Sequence, residues 1–443
     1  MNKSTKPKIY SCNNCGANYS TWSGKCNLCG EWNTIEISSD ISPSDYIKLD
    51  TKSLDDSIQN EDKRLSCDID GIDQVFGGGI VLGSVNLISG EPGMGKSTLL
   101  LQIAAVISKK NNVLYISGEE SLHQVGMRAK RLKLTSTNLH IASSNSTDDI
   151  VKEIESKKYQ LVVVDSIQTI RCGDVGASAG SISQVTNSSA LITRSAKHSN
   201  TAVVIVGHIT KEGNIAGPKL LEHIVDVVLN LEGDQSGGLK LLRVSKNRFG
   251  STNETSIFEM REEGLMPVSN PSVILLAERK VTDGSIVLAT IEGSRPILVE
   301  VQALVNTTNY GYPKRAASGL DLSRMNLLVA MMERRTSLKL ADKDIYVNIV
   351  GGLKINEPAS DLAIVMAIAS AARGKKLRDN AVVFGEVGLS GEIRHVPFIE
   401  KRIAEAEALG FDYAIGPPST TKALPSFLRS IDEVKLALNT YLK

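Results

Sequence analysis

The chain has 443 residues, 42% of them hydrophobic and 22% charged, with a net charge of +1. That length corresponds to about three domains, and the composition is that of ordinary globular cores, which excludes a largely disordered chain. The near-neutral balance excludes a uniformly basic surface, so any DNA-binding face has to be a local patch.

The chain starts Met-Asn-Lys-Ser-Thr-Lys-Pro-Lys, with no apolar signal core, and no window reaches about 18 uninterrupted apolar residues, so a cytoplasmic location is expected. Four of the six cysteines follow at once as two close pairs, Cys12-x-x-Cys15 and Cys26-x-x-Cys29. Two such knuckles, each followed by a glycine (Gly16, Gly30) that eases the tight turn, can close a tetrahedral Zn²⁺ site. Without an export signal, metal is favoured over disulfides. Trp22 and Trp32 flank the second knuckle and are expected to give this small unit its apolar cover, whereas Cys67 and Cys172 have no partner at ligand spacing and read as small buried hydrophobes. Residues 1–35 are therefore expected to form a zinc finger. Residues 36–62, rich in Ser and Asp, read as a flexible linker.

Residues Gly90, Glu91, Pro92, Gly93, Met94, Gly95, Lys96, Ser97 and Thr98 match the phosphate loop G-x-x-x-x-G-K-[ST]. A short apolar strand, 84–88, precedes the loop and an amphipathic helix, 96–108, follows it. The glycines let backbone N–H groups crowd round phosphate oxygens at a helix N-terminus, Lys96 reaches the β- and γ-phosphates, and Ser97 ligates Mg²⁺. ATP and Mg²⁺ are thus the expected ligands. Strands and helices then alternate: 113–117, a helix from Ser121, 139–143, a helix capped at 147–148, and Leu161-Val162-Val163-Val164-Asp165. This is the rhythm of a parallel sheet covered on both faces. Asp165, at the end of an aliphatic strand, is placed to face the metal's water shell. Glu119 and Glu120, at another strand end, offer an acid to orient and deprotonate the attacking water, with Glu119 the first choice and Glu120 its assistant. The alternative is a pair of solvated acids at a helix start, favoured by its dipole.

Between Ile170 and Ser189 the chain is small and polar, which suggests a mobile loop before a helix around 186–198. The strand 201–206 ends at Gly207-His208, and a second glycine-rich loop, 209–219, carries Lys211 and Lys219. Two such loops on one sheet edge suit the gripping of a polymer; ordinary long connections are the alternative. Strands 225–231 and 239–245 lead to Lys246-Asn247-Arg248-Phe249-Gly250, and a proline-marked boundary follows at 266–271. Residues 63–268 thus form one expected domain and 272–443 a second α/β domain. The second is read with strands near 286–291, 345–350 and 382–385 and helices at 320–335, 358–373 and 399–409; the helix after Pro358, almost entirely small and aliphatic, belongs in a core.

The order of zinc knuckles, phosphate loop, Lys246-Asn247-Arg248-Phe249-Gly250 and a C-terminal α/β domain resembles the bacterial RadA (Sms) family of RecA-related DNA repair proteins, over essentially the whole chain. The pentapeptide is the most specific element, with Gly207–Gly213 and Leu221-Glu222-His223 in support. The resemblance implies a RecA-like P-loop ATPase core between a small zinc ribbon and a C-terminal Lon-protease-like α/β domain. It further implies a hexameric motor that binds single-stranded and branched DNA, hydrolyses ATP and extends recombination branches alongside RecA. In that frame Lys246 and Arg248 act on ATP or DNA across a subunit boundary, and His208 senses the γ-phosphate. The Lon-type Ser/Lys dyad is not matched: its serine position falls on Ala359 and its lysine position on Glu400, with Ser360 one residue off, a rotation of ~100° at a helix start. No peptidase is expected, and the domain is read as serving assembly and DNA contact through Lys314 and Arg315, with Arg324 a further cation. An ATP-dependent protease and a nucleotide-switched repair scaffold are the competing readings. The Ala359 departure counts against the first.

Overall fold

The computed structural model describes residues 10–37, 63–208, 218–233, 238–308, 311–377, 380–418 and 426–442. The glycine-rich segment 209–217 and almost all of the expected linker lie outside the described residues.

The first element is a three-stranded antiparallel ribbon, β1 (Tyr10–Cys12), β2 (Asn18–Tyr19) and β3 (Ile35–Ile37), with β1 in the middle. Tyr10 pairs with Ile37, so the strand runs past residue 35 into the stretch read as linker. The ribbon's core is Cys12, Cys26 and Ile35, with Tyr10, Ala17, Tyr19 and Cys29 against it. The tryptophans do not join it. Trp22 and Trp32 are 61% and 67% exposed, because the indole N–H of Trp22 donates to the rim carbonyl of Ile35 (3.0 Å) and Lys25 lies over the Trp32 ring. The expectation that they cover the knuckle is corrected: a ribbon this small has cysteines and one isoleucine as its interior.

The chain divides into two compact units, 1–232 with 242–252 and 261–266, and 233–241 with 253–260 and 267–443. The first unit starts with a short pair, β4 (Arg64–Leu65) and β5 (Ile80–Val81), enclosing the one-turn helix α1 (Ile72–Val75). Its core strands are β6 (Val85–Gly90), β7 (Val113–Ser117), β8 (Leu139–Ser143), β9 (Leu161–Asp165), β10 (Ala202–His208) and β11 (Val227–Gly233), in the spatial order β11-β6-β10-β9-β7-β8, all parallel. Next in the chain come β12 (Leu239–Asn247), most of it in the first unit, β13 (Thr255–Arg261), almost all in the second, and β14 (Gly264–Pro267), almost all in the first. Helices α2 (Lys96–Ile107), α3 (Leu122–Arg131), α4 (Thr147–Glu155), α5 (Ile182–Ser199) and α6 (Pro218–Ile224) connect the strands. Burial on both faces explains the unbroken aliphatic runs: Val85, Leu87, Val162, Val164, Val203 and Ile205 pack with Ile150, Val185, Ile192 and Leu221 from the helices. Helix α5 begins at Ile182, earlier than its polar sequence suggested.

The second unit holds a mixed seven-stranded sheet in the order 315–318, 343–349, 295–307, 285–292, 381–383, 413–416, 428–430. The long strand Arg295–Thr307, absent from the sequence reading, pairs antiparallel with both neighbours. The helix Asp361–Arg373 has Leu362 to Ser370 continuously buried, as its small aliphatic composition requires. Among the described residues no helix is long and apolar enough to cross a membrane.

Candidate nucleotide site and zinc centre

Parallel registry decides which strand ends meet. Ser117 lies beside Asp165 and His208 beside Gly90, so the carboxyl ends of β7, β9, β10 and β6 share one edge of the sheet. At Gly90 a Cβ would collide with the carbonyl oxygen of Leu231 on the neighbouring strand, and Gly95 caps α2 at φ 98, a left-handed conformation that favours glycine. Lys96, 4% exposed, donates from Nζ to the carbonyls of Gly90 and Glu91, both at 2.8 Å. Burial pulls its pKa down to about 8 against the opposing pull of Asp165 and Glu119. An ammonium that costly to bury, held by loop carbonyls at the start of a helix, fits a polyphosphate. Ser97 and Thr98 follow it on the first turn, half-buried.

Asp165 is buried and accepts from the hydroxyl of Tyr115, which orients its carboxylate; the Asp165–Ser166 peptide bond is cis. The two acids after β7 part company. Ser121 starts α3 with a capping box, its backbone N–H donating to Gln124 Oε1 at 2.8 Å, so the chain turns sharply after Glu120. Glu120 pairs with Arg128 on that helix, whereas Glu119 receives the hydroxyl of Ser166 and lies 3.6 Å from His208 Nε2. Burial and the nearby Lys96 charge lower the His208 pKa, which favours the neutral ring, and among the described residues its buried Nδ1 has no partner. Lys96, Asp165, Glu119 and His208 are thus brought together, with Tyr115 and Ser166 as orienting groups that sequence reasoning did not name.

The connection 171–181 is not the free loop its composition suggested. Gln184, buried on α5, accepts from Cys172 N (2.7 Å) and donates to the carbonyls of Val175 (2.7 Å) and Ala177 (3.0 Å), stapling the segment to the helix. Cys172 and Cys67 are both buried, as read.

The sulfurs of Cys12, Cys15, Cys26 and Cys29 all lie within 4.8 Å of one another. Contacts of 3.7 Å (Cys12–Cys29) and 3.5 Å (Cys15–Cys26) approach the ~3.8 Å edge of a tetrahedron with Zn–S bonds of ~2.3 Å, so the four thiolates fit zinc. The Tyr19 hydroxyl against its sulfur holds the Cys26 thiol down at about 6.

A family model described as an AAA domain matches residues 54–214, one described as a rubredoxin metal binding domain matches residues 10–36, and one described as subunit ChlI of Mg-chelatase matches residues 323–420. DNA repair protein RadA of Bacillus subtilis is 46% identical, covering 93% of each chain; those of Haemophilus influenzae and Escherichia coli K12 are 45% and 44% identical, covering 92% and 97% of each chain. The chain belongs to the RadA family.

The RadA-like pentapeptide is built at the other end of the sheet. Asp226 N and Val85 O bond at 2.8 Å, and the Asp226 carboxylate accepts from Val85 N (3.0 Å), which places it at the start of β6, roughly 17 Å of strand from Gly90. That buried carboxylate is shared by Arg248 (3.2 Å) and Lys197 (3.4 Å), while Lys246 donates to the carbonyls of Glu222 (2.5 Å) and Val225 (2.8 Å). Burial and Arg248 lower the Lys246 pKa. Gly250 is required because its Cβ would stand 2.8 Å from Gly77 Cα; Arg64, donating to Gly77 O (2.6 Å) and Phe249 O (3.3 Å), clamps the same junction. Lys246 and Arg248 therefore do not meet the phosphate loop of their own chain.

In the C-terminal unit Lys314 N donates to Asp344 (2.7 Å) and Arg315 to Asn326 (3.4 Å). Arg324 forms a two-point ion pair with the buried carboxylate of Asp361, which raises its pKa, so its charge is matched internally rather than offered to phosphate. Ala359 is buried, Ser360 Oγ donates to Glu357 O (2.7 Å), and Glu400 is exposed. Beside them sits an ion pair the sequence did not signal: Arg402, 1% exposed, grips Glu357 at 2.9 and 2.7 Å and donates to Ala289 O (2.5 Å).

Proposed function

We propose that this protein is an ATP-hydrolysing, DNA-stimulated motor of DNA repair and recombination, acting in the cytoplasm as a ring of identical subunits, a hexamer by resemblance, on single-stranded and branched DNA together with RecA. The observation that carries the reading is the convergence of Lys96, Asp165, Glu119 and His208 on one sheet edge in a chain whose relatives are named DNA repair proteins. The amides of Gly90–Thr98 and Lys96 would hold ATP, and Ser97 and Asp165 a Mg²⁺ ion, which supplies charge neutralisation at the phosphates. Glu119, held by the Ser166 hydroxyl, then takes the proton of the attacking water, and His208 beside it senses the γ-phosphate.

Lys246 and Arg248, fixed at the far end of the sheet, are suited to the nucleotide or DNA of an adjoining subunit, the geometry a ring supplies. Lys314 and Arg315 are proposed as phosphate contacts of a C-terminal domain kept for assembly and DNA rather than proteolysis. Support against a protease is Ala359 at the nucleophile position and the engagement of the Ser360 hydroxyl with Glu357 O. The test is ATP turnover with and without single-stranded DNA, followed by branch-migration gels with and without RecA. Turnover indifferent to DNA, with unmoved branches, would leave the scaffold reading standing.

A further inference from the structure

One short 3-10 turn, Ile167–Thr169, lies between the nucleotide edge and the connection that follows β9. On its nucleotide side it is tied to Glu119 and to the residue before it, Gly118. Ser166, the residue before the turn, donates its hydroxyl to the Glu119 carboxylate. Thr169 donates to Ser166 O (2.9 Å) and fills the space that a Cβ on Gly118 would need, so the strand end carrying Glu119 rests directly on the turn.

On the other side is Gln168. Its backbone oxygen lies against Gly180, where a Cβ would stand at 3.3 Å, and its side-chain nitrogen lies 4.0 Å from the Cβ position of Gly207, the residue before His208. Gly180 closes the connection whose opposite half, Cys172 to Ala177, is stapled by Gln184. Gln168 Oε1 is itself buried and, among the described residues, without a hydrogen-bond donor. A buried amide oxygen left unpaired is costly in one conformation and is relieved when a second conformation brings it a donor.

We infer that Gln168 is a positioning residue that couples the nucleotide site to the 171–181 connection: a shift at Glu119 and Ser166 travels through the turn and pairs Oε1 in the nucleotide-loaded state. The physical basis is the continuous set of contacts from Glu119 through Ser166 and Thr169 to Gln168, together with the unpaired Oε1. The inference rests on the reading of DNA-stimulated ATP hydrolysis.

The test uses the full chain and starts with wild type: turnover that ignores an oligo-dT strand sinks the functional reading itself, before any variant is made. Gln168→Met keeps length and burial but removes the amide, and Gln168→Glu keeps an oxygen at the same reach. Gln168→Met is expected to hold binding of a fluorescent ATP analogue and DNA-free turnover within about twofold of wild type, while stimulation by oligo-dT falls at least about fivefold. The ratio of oligo-dT affinities with ATP and with ADP should collapse in the same variant, and Gln168→Glu should regain most of the stimulation. Wild-type stimulation in Gln168→Met overturns the proposal, as does equal loss of ATP binding, basal turnover and stimulation. Failure of Gln168→Met to fold also overturns it, because an apolar side chain of equal length satisfies a position that is merely buried.

Discussion

The carboxylate of Glu119 lies 3.6 Å from Nε2 of His208, while its sequence neighbour Glu120 is held by Arg128 on the next helix. Two adjacent glutamates thus meet different partners across one turn. Glu119→Gln is expected to cut turnover by about 10²- to 10⁴-fold with ATP binding retained, the range for loss of a general base. Glu120→Gln should leave turnover within severalfold of wild type. Single-turnover hydrolysis alongside nucleotide binding checks both, and equal losses in the two variants would contradict the assignment.

Lys96→Ala should abolish turnover, because it deletes the cation proposed to meet the β- and γ-phosphates. The wild-type lysine also makes nucleotide binding pH-dependent. Its pKa is lowered to about 8 in the free site, and phosphate raises it, so the binding-competent ammonium is fully present below that value and is lost as pH rises through it. ATP affinity is expected to be flat near neutrality and to weaken by up to roughly tenfold per pH unit above about 8, with proton uptake on binding. Calorimetry in buffers of different ionisation enthalpy measures this. A dissociation constant unchanged across the alkaline range would contradict it.

Purified protein should carry one Zn²⁺ per chain, and Cys26→Ser should lose it, since three thiolates leave a coordination position open. The ATPase unit, which has its own core, should keep its fold and nucleotide binding. Metal analysis of a reduced, chelator-free preparation is decisive; stoichiometry near zero removes the metal from the ribbon.

Arg402→Met should destabilise the C-terminal unit by about 3–5 kcal/mol, because it leaves the Glu357 carboxylate beside Ala289 and Ile291 without its cation. The double variant Glu357→Gln, Arg402→Met should recover most of that loss. Amide exchange across the buried helix Asp361–Arg373 reads the effect, and additive losses in the double variant would show that the pair is not coupled.

Replacing Lys314 and Arg315 by Ala should weaken DNA binding and flatten its salt dependence by about one unit per lost phosphate contact. Arg324→Ala is expected to act through stability instead, since Asp361 would lose its partner. An unchanged slope in the Lys314, Arg315 variant would move the DNA surface elsewhere.

Much of the candidate nucleotide edge was legible in the sequence because local spacing reports backbone directly. A glycine loop between strand and helix, an aliphatic run ending in Asp165 and paired cysteines each carry their geometry within a few residues. Other features depend on partners distant in the chain. Parallel registry joined His208 to Gly90 and Ser117 to Asp165, and Gln184 tied down a connection whose composition suggested mobility. The ribbon's small interior turned Trp22 and Trp32 outward, and β12 brought Lys246 and Arg248 back beside Asp226, at the end of the sheet away from the phosphate loop. The sequence by itself determined which chemistry the chain carries; tertiary structure alone decided which groups face one another, because hydrogen-bond registry and side-chain burial are properties of pairs, which no single stretch of chain specifies.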